Sequence, residues 1–574
     1  MKAFTKVLSL MFILLLIGSL AVAEDGEKTE SYYIWLGGHY TEFDDGYTKK
    51  VGEYNLGEDQ LLPEFKFGYF QQNMNSYFRL DGHYYDKRNV DGRLKTVVGD
   101  RFKATFQFRS LIRQDGQDML EEMAAREWFP STSTPGGKIL SHEIQDVGAD
   151  YNTYRRELLA KASFLLSREH DVRIVAAHRT ILKTGTEQKI ASDHCFSCHL
   201  TSMEGKVDNR QHQFEVGIEG DLKEDTRVGY TFGYRNYSSE AINNQAYYDP
   251  AVHPVNGGSG AEFETRVNYD DTVLNFSTLP ETEKMSHRVK FKTDFGNSYF
   301  SSVFGYTTVE NKGTNLESKT INGALNFATI LNPKTRLIAK ASYAKIDNDD
   351  VFIDLPTFRE GRPGLVVDFD YTRYSTMNRK NMKLSGEVIH KLDPKTNLSV
   401  LAGLDIVNRD NYPIYEEGLK TTKFYGQAKV RYRKGAEYNT SLKYRFESIS
   451  VPFVSSKGLF ESPGRDVLVP TGGTIYYFQR EDLRYQGITT EPTQVHKIEW
   501  NSNWTPNEKV NVNLGFNFKY DKNGDLDSLD VKNTMMNPNL YINLMPNAKW
   551  YVTAGYNYNY NKSRGPVTVA LFDG

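Results

Sequence analysis

Apolar and polar residues alternate along segments of about ten residues through most of this chain. From Val510 to Tyr520 every even-numbered residue is apolar and every odd-numbered residue is polar or glycine, and an apolar stripe also follows the even positions of 102–109 and 550–560. Successive side chains of a β-strand point to opposite faces. The two-residue period therefore predicts strands with one apolar face and one polar face.

The connections between these segments are of two kinds. Short polar turns recur, as at 332–335 and 393–396, and between them lie long connections such as 239–284, 348–377 and 451–491. Outer-membrane barrels place short turns in the periplasm and long loops outside the cell. We therefore expect an all-β fold, a large closed antiparallel transmembrane β-barrel of about 22 strands, or up to about 26 if the long connections form extra hairpins, with its N-terminus in the periplasm.

Composition narrows the class of protein further. Aromatic residues make up 13% of the chain and glycines number 45, yet apolar residues are only 39% and the mean hydropathy is −0.57. This polar balance excludes a bundle of membrane helices, and the aromatic content excludes a disordered chain. The 70 basic residues are matched by 73 acidic ones, so we expect no nucleic-acid partner.

The N-terminus has the features of a secretory signal peptide. Lys2 and Lys6 are followed by an apolar run over 7–20 and by Ala21-Val22-Ala23. This pattern predicts a signal peptide at 1–23 and a mature barrel at 24–574 in the bacterial outer membrane.

One motif carries candidate chemistry, and it contains both cysteines. Cys195-Phe196-Ser197-Cys198-His199 is a C-x-x-C-H sequence. Two thiols at this spacing can form thioethers to the vinyl groups of a haem, and the following histidine can ligate the iron. We therefore predict one covalent haem c held by Cys195 and Cys198, with His199 as the proximal iron ligand.

Other interpretations of the two cysteines remain open. A disulfide between Cys195 and Cys198 explains their spacing in an oxidising compartment but does not explain His199. A zinc site lacks a second pair of ligands at matching spacing, and an oxidoreductase dithiol lacks its βαβ context.

The strand pattern also predicts where the motif lies. Alternating segments at 171–183 and 213–222 flank it, so we expect 184–212 to be a haem-attachment loop inserted between two strands. This loop would lie at the outer mouth of the barrel or fold back into its lumen. The distal iron ligand is unknown, and the weak candidates are Met203, His212 and His194.

Several short motifs resemble the decahaem-associated outer-membrane β-barrel family, the MtrB/PioB type of porin–cytochrome conduits. They are Gly37-Gly38-His39-Tyr40, Gly52-Glu53-Tyr54-Asn55, the run of aromatic hairpins and the Asn-Pro-Lys-Thr-like turns. The resemblance implies a barrel that sheathes a periplasmic multihaem c-type cytochrome and passes electrons to an extracellular cytochrome or to a metal. Some members carry a C-x-x-C near the mature N-terminus, whereas here the pair is internal and is followed by His199.

The leading hypothesis is an outer-membrane barrel of an extracellular electron-transfer conduit, which carries one haem, sheathes a multihaem cytochrome, or does both. It is an electron-transfer component rather than an enzyme, with no catalytic residue assigned. Two alternatives stand beside it. One is a diffusion porin or substrate channel with a Cys195–Cys198 loop disulfide, and the other is a self-contained haem iron oxidase or metal reductase, similar to fused cytochrome–porin iron oxidases.

Overall fold

The fold is described from a computed structural model. It describes residues 28–40, 53–54, 61–119, 142–193, 199–240, 245–248, 272–275, 279–353, 358–359, 366–367, 371–373, 375, 377–410, 419–452, 460–461, 489, 491–525, 530–547 and 549–565. The predicted signal peptide at 1–23 lies outside these residues. In the described part of the chain the secondary structure is almost entirely β, and no helix there is long and apolar enough to span a membrane.

The strands follow one another with few interruptions. The first ten are β1 (Thr29–Tyr40), β2 (Leu61–Gln72), β3 (Ser76–Tyr84), β4 (Val90–Val98), β5 (Phe102–Asp115), β6 (His142–Ile144), β7 (Tyr151–Ser167), β8 (Val172–Asp193), β9 (His199–Lys223) and β10 (Thr226–Ser239). The next ten are β11 (Gln245–Tyr248), β12 (Thr272–Asn275), β13 (Thr282–Phe295), β14 (Ser298–Asn311), β15 (Leu316–Asn332), β16 (Thr335–Asn348), β17 (Val351–Ile353), β18 (Phe358–Arg359), β19 (Val366–Val367) and β20 (Tyr371–Arg373). The last ten are β21 (Arg379–Lys391), β22 (Thr396–Arg409), β23 (Leu419–Lys434), β24 (Tyr438–Ser450), β25 (Phe460–Glu461), β26 (Gln494–Asn507), β27 (Val510–Lys522), β28 (Lys532–Asn547), β29 (Trp550–Asn557) and β30 (Tyr560–Arg564).

Twenty-three of these strands form one sheet, which agrees with the predicted all-β antiparallel fold and lies close to the predicted strand number. Neighbours in the chain pair antiparallel throughout, and the sole parallel pairing described is that of the short β6 with β9. The remaining strands form small sheets within the long connections, as expected for extra hairpins there.

The two ends of the sheet differ in their connections. Short turns such as 296–297 and 333–334 lie at one end, and connections such as 349–378 lie at the other. We call these the short-turn end and the long-connection end. β1 begins at the short-turn end, since Thr29 pairs with Gln72, and the prediction that this end faces the periplasm stays a prediction.

The outermost strands each have a partner on one side within the described residues. β1 pairs with β2, while β29 and β30 both pair with successive parts of β28. Both edges run from the short-turn end to the long-connection end, so they are parallel to each other. The sequence predicted both chain ends on the periplasmic side, and residues 566–574 lie outside the described part.

The alternation of the sequence becomes two faces of the sheet. Large side chains on one face are exposed across many strands. We call it the apolar face, and it includes Phe214, Val216, Ile218, Val289, Phe304, Leu325, Leu384, Val400, Phe424 and Leu442. The opposite face, the polar face, carries charged residues and asparagines, such as Arg288, Lys423 and Asn513.

Candidate functional site: a projecting hairpin

The C-x-x-C-H motif lies at the tip of the longest hairpin described. β8 and β9 pair from Arg173↔Glu219 to Asp193↔His199. Their outer neighbours stop earlier, because β7 begins pairing with β8 at Thr153↔Gly185 and β10 ends at Ser239↔Asn209. Residues 186–193 and 199–208, which we call the projecting hairpin, therefore extend beyond the sheet at the long-connection end by about 27 Å, at about 3.3 Å per residue.

This arrangement differs from the expected loop at 184–212. The chain there continues as paired strands, and only 194–198 separates them. The hairpin leaves the sheet at Gly185, the last residue of β8 that pairs with β7. Its φ of 137° favours glycine, and a Cβ added there would lie 2.0 Å from the carbonyl oxygen of Asn152. The alternation failed to predict these strands because the projecting hairpin has no apolar face to present to lipid.

The outer part of the projecting hairpin, towards its tip, is braced by the connection between β5 and β7. β6 adds a parallel strand to Leu200–Ser202 of β9, and the backbone N–H of Gln145 donates to the carbonyl of Ser202 over 2.9 Å. Ser202 is fully buried, and its hydroxyl accepts a 2.6 Å hydrogen bond from the Gln188 amide. The same Gln188 side chain exchanges two hydrogen bonds with the backbone of Asp118, of 2.7 and 2.8 Å.

A second part of the brace is centred on Tyr151. Its hydroxyl donates to Asp146 over 2.7 Å, and Gln117 donates to the Asp146 carbonyl over 2.9 Å and accepts from the N–H of Gly148. Burial, reinforced by the bond to Asp146, raises the pKa of Tyr151 to about 12. The hydroxyl therefore stays protonated and holds this connection in place at neutral pH.

An ion-pair cluster stiffens the projecting hairpin itself. Glu187 accepts from Lys183 over 3.1 Å and also contacts Lys189. Partial burial acts to raise the pKa of Glu187, but the hydrogen bonds and charges of the two lysines outweigh it, so that the pKa of Glu187 lies below its usual range.

The sequence-predicted ligands have different positions relative to this hairpin. Cys195, Cys198 and His194 lie outside the described residues, and His199 is the first residue of β9, paired in register with Asp193. The donor set, two thiols followed at once by an imidazole, fits haem c. Five residues connect the paired strand ends, and both cysteines are among them.

The two distal candidates on β9 are not equivalent. Met203 follows His199 by four residues, about 13 Å along the strand, and its role as the distal ligand stays a prediction. His212 lies thirteen residues away, about 43 Å along the strand. Its Nδ1 is hydrogen-bonded to Thr180 over 3.1 Å, within the sheet, so this structure does not bring His199 and His212 to one iron.

Residues from two of the motifs that carried the family resemblance lie at the long-connection end of β1–β5. His39 stacks on Tyr85 with ring centroids 3.8 Å apart. The carboxylate of Glu53 accepts a 2.6 Å hydrogen bond from Arg113, and the carbonyl of Tyr54 accepts one of 2.9 Å from Asn89. Among the described residues no group of three or more His, Cys, Asp or Glu forms a metal site.

Comparisons with known proteins add the following. No protein-family model matches the chain, and no curated protein matches it. Similar solved structures include the FrpB iron transporter from Neisseria meningitidis (F3-3 variant), with 9% identity over 96% of this chain and 80% of that chain and a TM-score of 0.47. Another is the copper transporter OprC, with 9% identity over 93% of this chain and 74% of that chain and a TM-score of 0.47. A third is BauA, the ferric preacinetobactin receptor from Acinetobacter baumannii, with 11% identity over 84% of this chain and 71% of that chain and a TM-score of 0.41.

Proposed function

We propose that this chain is a closed outer-membrane β-barrel that carries one covalent haem c at its outer mouth and takes part in electron transfer across the outer membrane. The observation that carries the proposal is the position of the C-x-x-C-H motif at the tip of a hairpin that projects beyond the sheet. Cys195 and Cys198 would hold the haem and His199 would ligate its iron.

A membrane location is supported by the apolar face. Val216, Phe304 and Phe424 are each more than half exposed, and they lie at mid-strand, where a soluble sheet would cover them or replace them with polar residues. Lipid is the partner that stabilises such a face, and barrels and helices are the structures that can span it. Because the described sheet has two open edges, closure into a barrel belongs to the proposal.

The hairpin geometry implies a partner. A haem at its tip would stand about 27 Å beyond the sheet, outside a hydrocarbon core that is itself about 30 Å thick. One such centre does not connect the two sides of the membrane. The chain would therefore work with a periplasmic multihaem c-type cytochrome, as the MtrB/PioB-like resemblance implies, and pass electrons to or from an extracellular cytochrome or metal.

The first test is a haem stain of the full chain, expressed with a c-type cytochrome maturation system and separated on a denaturing gel. Wild type should keep the stain, and Cys195→Ser/Cys198→Ser should lose it while remaining folded by heat-modifiable migration. Ser197→Ala, inside the same loop, should keep it. His199→Ala should keep a folded barrel and shift the absorption spectrum before and after dithionite, whereas an unchanged spectrum would remove His199 as ligand.

A second candidate function is a substrate channel with a Cys195–Cys198 disulfide. The observation that favours it is a cavity lined by cations on the polar face, as expected for a wet lumen. This function predicts a colourless protein that conducts ions in planar bilayers. A third outcome, turnover of Fe²⁺ or a metal oxidant by the stained protein without any cytochrome, would indicate an enzyme instead.

A further inference from the structure

Three cations surround one cavity on the polar face of β9, β10 and β13–β15. Arg235 lies on β10, and Lys284 and Arg288 lie on β13. The cavity has a volume of about 290 Å³. We call it the cationic pocket. This volume is ample for a small hydrated anion.

The arrangement of charge in the cationic pocket is unfavourable by itself. Arg235 and Lys284 are direct cross-strand partners, and like charges directly opposite each other destabilise a sheet. In the described part of the chain none of the three cations forms an ion pair, and the Nε of Arg235 is buried without a hydrogen-bond partner. The one carboxylate in the lining, Glu215, accepts a 2.8 Å hydrogen bond from Gln213.

Elsewhere in the same sheet, an equivalent cation pair is neutralised by the chain. Arg445 of β24 lies directly opposite Lys497 of β26, as Arg235 of β10 lies opposite Lys284 of the next strand in the sheet. Glu447, two residues after Arg445 and only 8% exposed, accepts from Arg445 over 2.7 Å and from Lys497 over 3.1 Å. The carboxylate thus bridges the two cations.

The corresponding position on β10, beside the cationic pocket, carries no charge. β10 and β24 both begin after a short turn and run in the same direction, so the residue in the register of Glu447 is the one two places after Arg235. That residue is Tyr237. The bridging anion that the chain supplies at Arg445 and Lys497 is therefore missing at Arg235 and Lys284.

The floor of the cationic pocket provides neutral hydrogen-bonding groups. Gly233 and Gly305 have no side chains, and a Cβ at either would lie 2.6 Å from the hydroxyl of Ser286 or 2.2 Å from the amide oxygen of Asn322. The two glycines therefore allow Ser286 and Asn322 to occupy the space between the strands. The Ser286 hydroxyl donates a long hydrogen bond of 3.4 Å to the Gly233 carbonyl. A hydroxyl and an amide NH₂ group are donors that can serve an oxygen anion beside three cations.

We propose that the cationic pocket binds a small oxyanion, either a phosphate or a carboxylate, between Arg235, Lys284 and Arg288. The bound oxyanion would take the place that Glu447 occupies in the equivalent cation pair. This inference is independent of the haem, because it rests on polar-face residues of the sheet and would hold equally for a conduit or a channel.

The test is calorimetric titration of the folded full chain in detergent micelles with inorganic phosphate and, separately, with succinate. We expect saturable binding of one anion per chain for at least one of the two. Arg235→Gln and Arg288→Gln should each weaken binding by about tenfold or more, the loss expected for one charge-assisted hydrogen bond. Lys312→Gln, which removes a cation that is already paired with Glu283 and Glu310, should leave it unchanged.

The most informative variant is Tyr237→Glu, which places a carboxylate on β10 at the position equivalent to Glu447 on β24. The new carboxylate should bridge Arg235 and Lys284 and abolish phosphate and succinate binding, while heat-modifiable migration stays that of the folded protein. Absence of saturable binding in wild type, or equal binding by wild type and Tyr237→Glu, would overturn the proposal. A variant that fails to fold is replaced by Tyr237→Asp, judged by the same outcomes.

Discussion

The β8–β9 ribbon contains two regions that are built from the same two strands and stabilised differently. Its lower part, up to Gly185 on β8 and Asn209 on β9, lies within the sheet between β7 and β10, and it presents an apolar stripe that includes Val216. The projecting hairpin has neither of these neighbours and depends on the brace from 116–119 and 142–150. The comparison teaches that strand pairing can extend beyond the lipid-facing pattern when local hydrogen bonds replace the neighbouring strands.

The largest effect on stability is expected from an arginine placed on the lipid-facing part of the ribbon rather than on the projecting hairpin. Val216→Arg places a charge at mid-strand on the apolar face and should destabilise the protein in bilayers by about 2–4 kcal/mol. Glu204→Arg introduces the same side chain on an exposed position of the projecting hairpin and should change stability by less than about 0.5 kcal/mol. Unfolding by denaturant in lipid vesicles measures both, and equal effects would contradict a lipid-facing Val216.

The next effect concerns the brace alone. Gln188→Ala removes the hydrogen bonds to Ser202 and Asp118 and should free the projecting hairpin at a local cost of about 1–3 kcal/mol, because buried polar groups lose their partners. Limited proteolysis should then cut the hairpin faster while the sheet remains resistant. Gln211→Ala, on the part of β9 within the sheet, is the control, and similar cleavage of both variants would argue against the brace.

A smaller effect is expected from Tyr151→Phe, which removes the hydrogen bond to Asp146 and should cost about 1 kcal/mol. Because the folded pKa of Tyr151 is raised to about 12, the wild-type contribution is fully present below the ordinary tyrosine pKa of about 10. It is lost as the pH rises from about 10 to about 12. The rate of hydrogen exchange in the projecting hairpin, corrected for its intrinsic pH dependence, should increase over this pH range in wild type and not in Tyr151→Phe.

The smallest effect is that of Glu187→Gln, at most about 1 kcal/mol, because the ion pairs with Lys183 and Lys189 are partly exposed. The pKa of Glu187 is lowered in the folded state, so its contribution is present at neutral pH and lost as the pH falls through that lowered value. Exchange of the projecting hairpin should therefore accelerate in acid for wild type. A variant with the same acid response would show that Glu187 contributes nothing.

The strands of the main sheet could be predicted from the sequence because each has an apolar face and a polar face, and its residues therefore alternate with a period of two. The segment 510–520 became β27, and 102–109 lies within β5. The stripe at 550–560 was interrupted between β29 and β30. The segment 186–193 does not alternate in this way, so the pattern did not predict that β8 continues through it.

The chemistry of the candidate site could be predicted from the sequence, but the brace that holds the projecting hairpin could not. The C-x-x-C-H spacing is local, so it can be read from five adjacent residues. The brace joins Gln117, Asp146, Gln188 and Ser202, which are far apart in the chain and belong to no motif. The cationic pocket is equally hidden, because it depends on which residues of β10 and β13 stand opposite each other.

The chain-order pairing of the sheet also determines which contact is hardest to form during assembly. Nearly every strand meets a partner one connection away, so the ribbon can grow by successive hairpins with little loss of chain entropy. In a closed barrel, β1 and the edge formed by β29 and β30 are separated by roughly 520 residues. If the sheet closes as proposed, joining them would cost about 4 kcal/mol more loop entropy than closing a four-residue turn, so we expect the seam to form last.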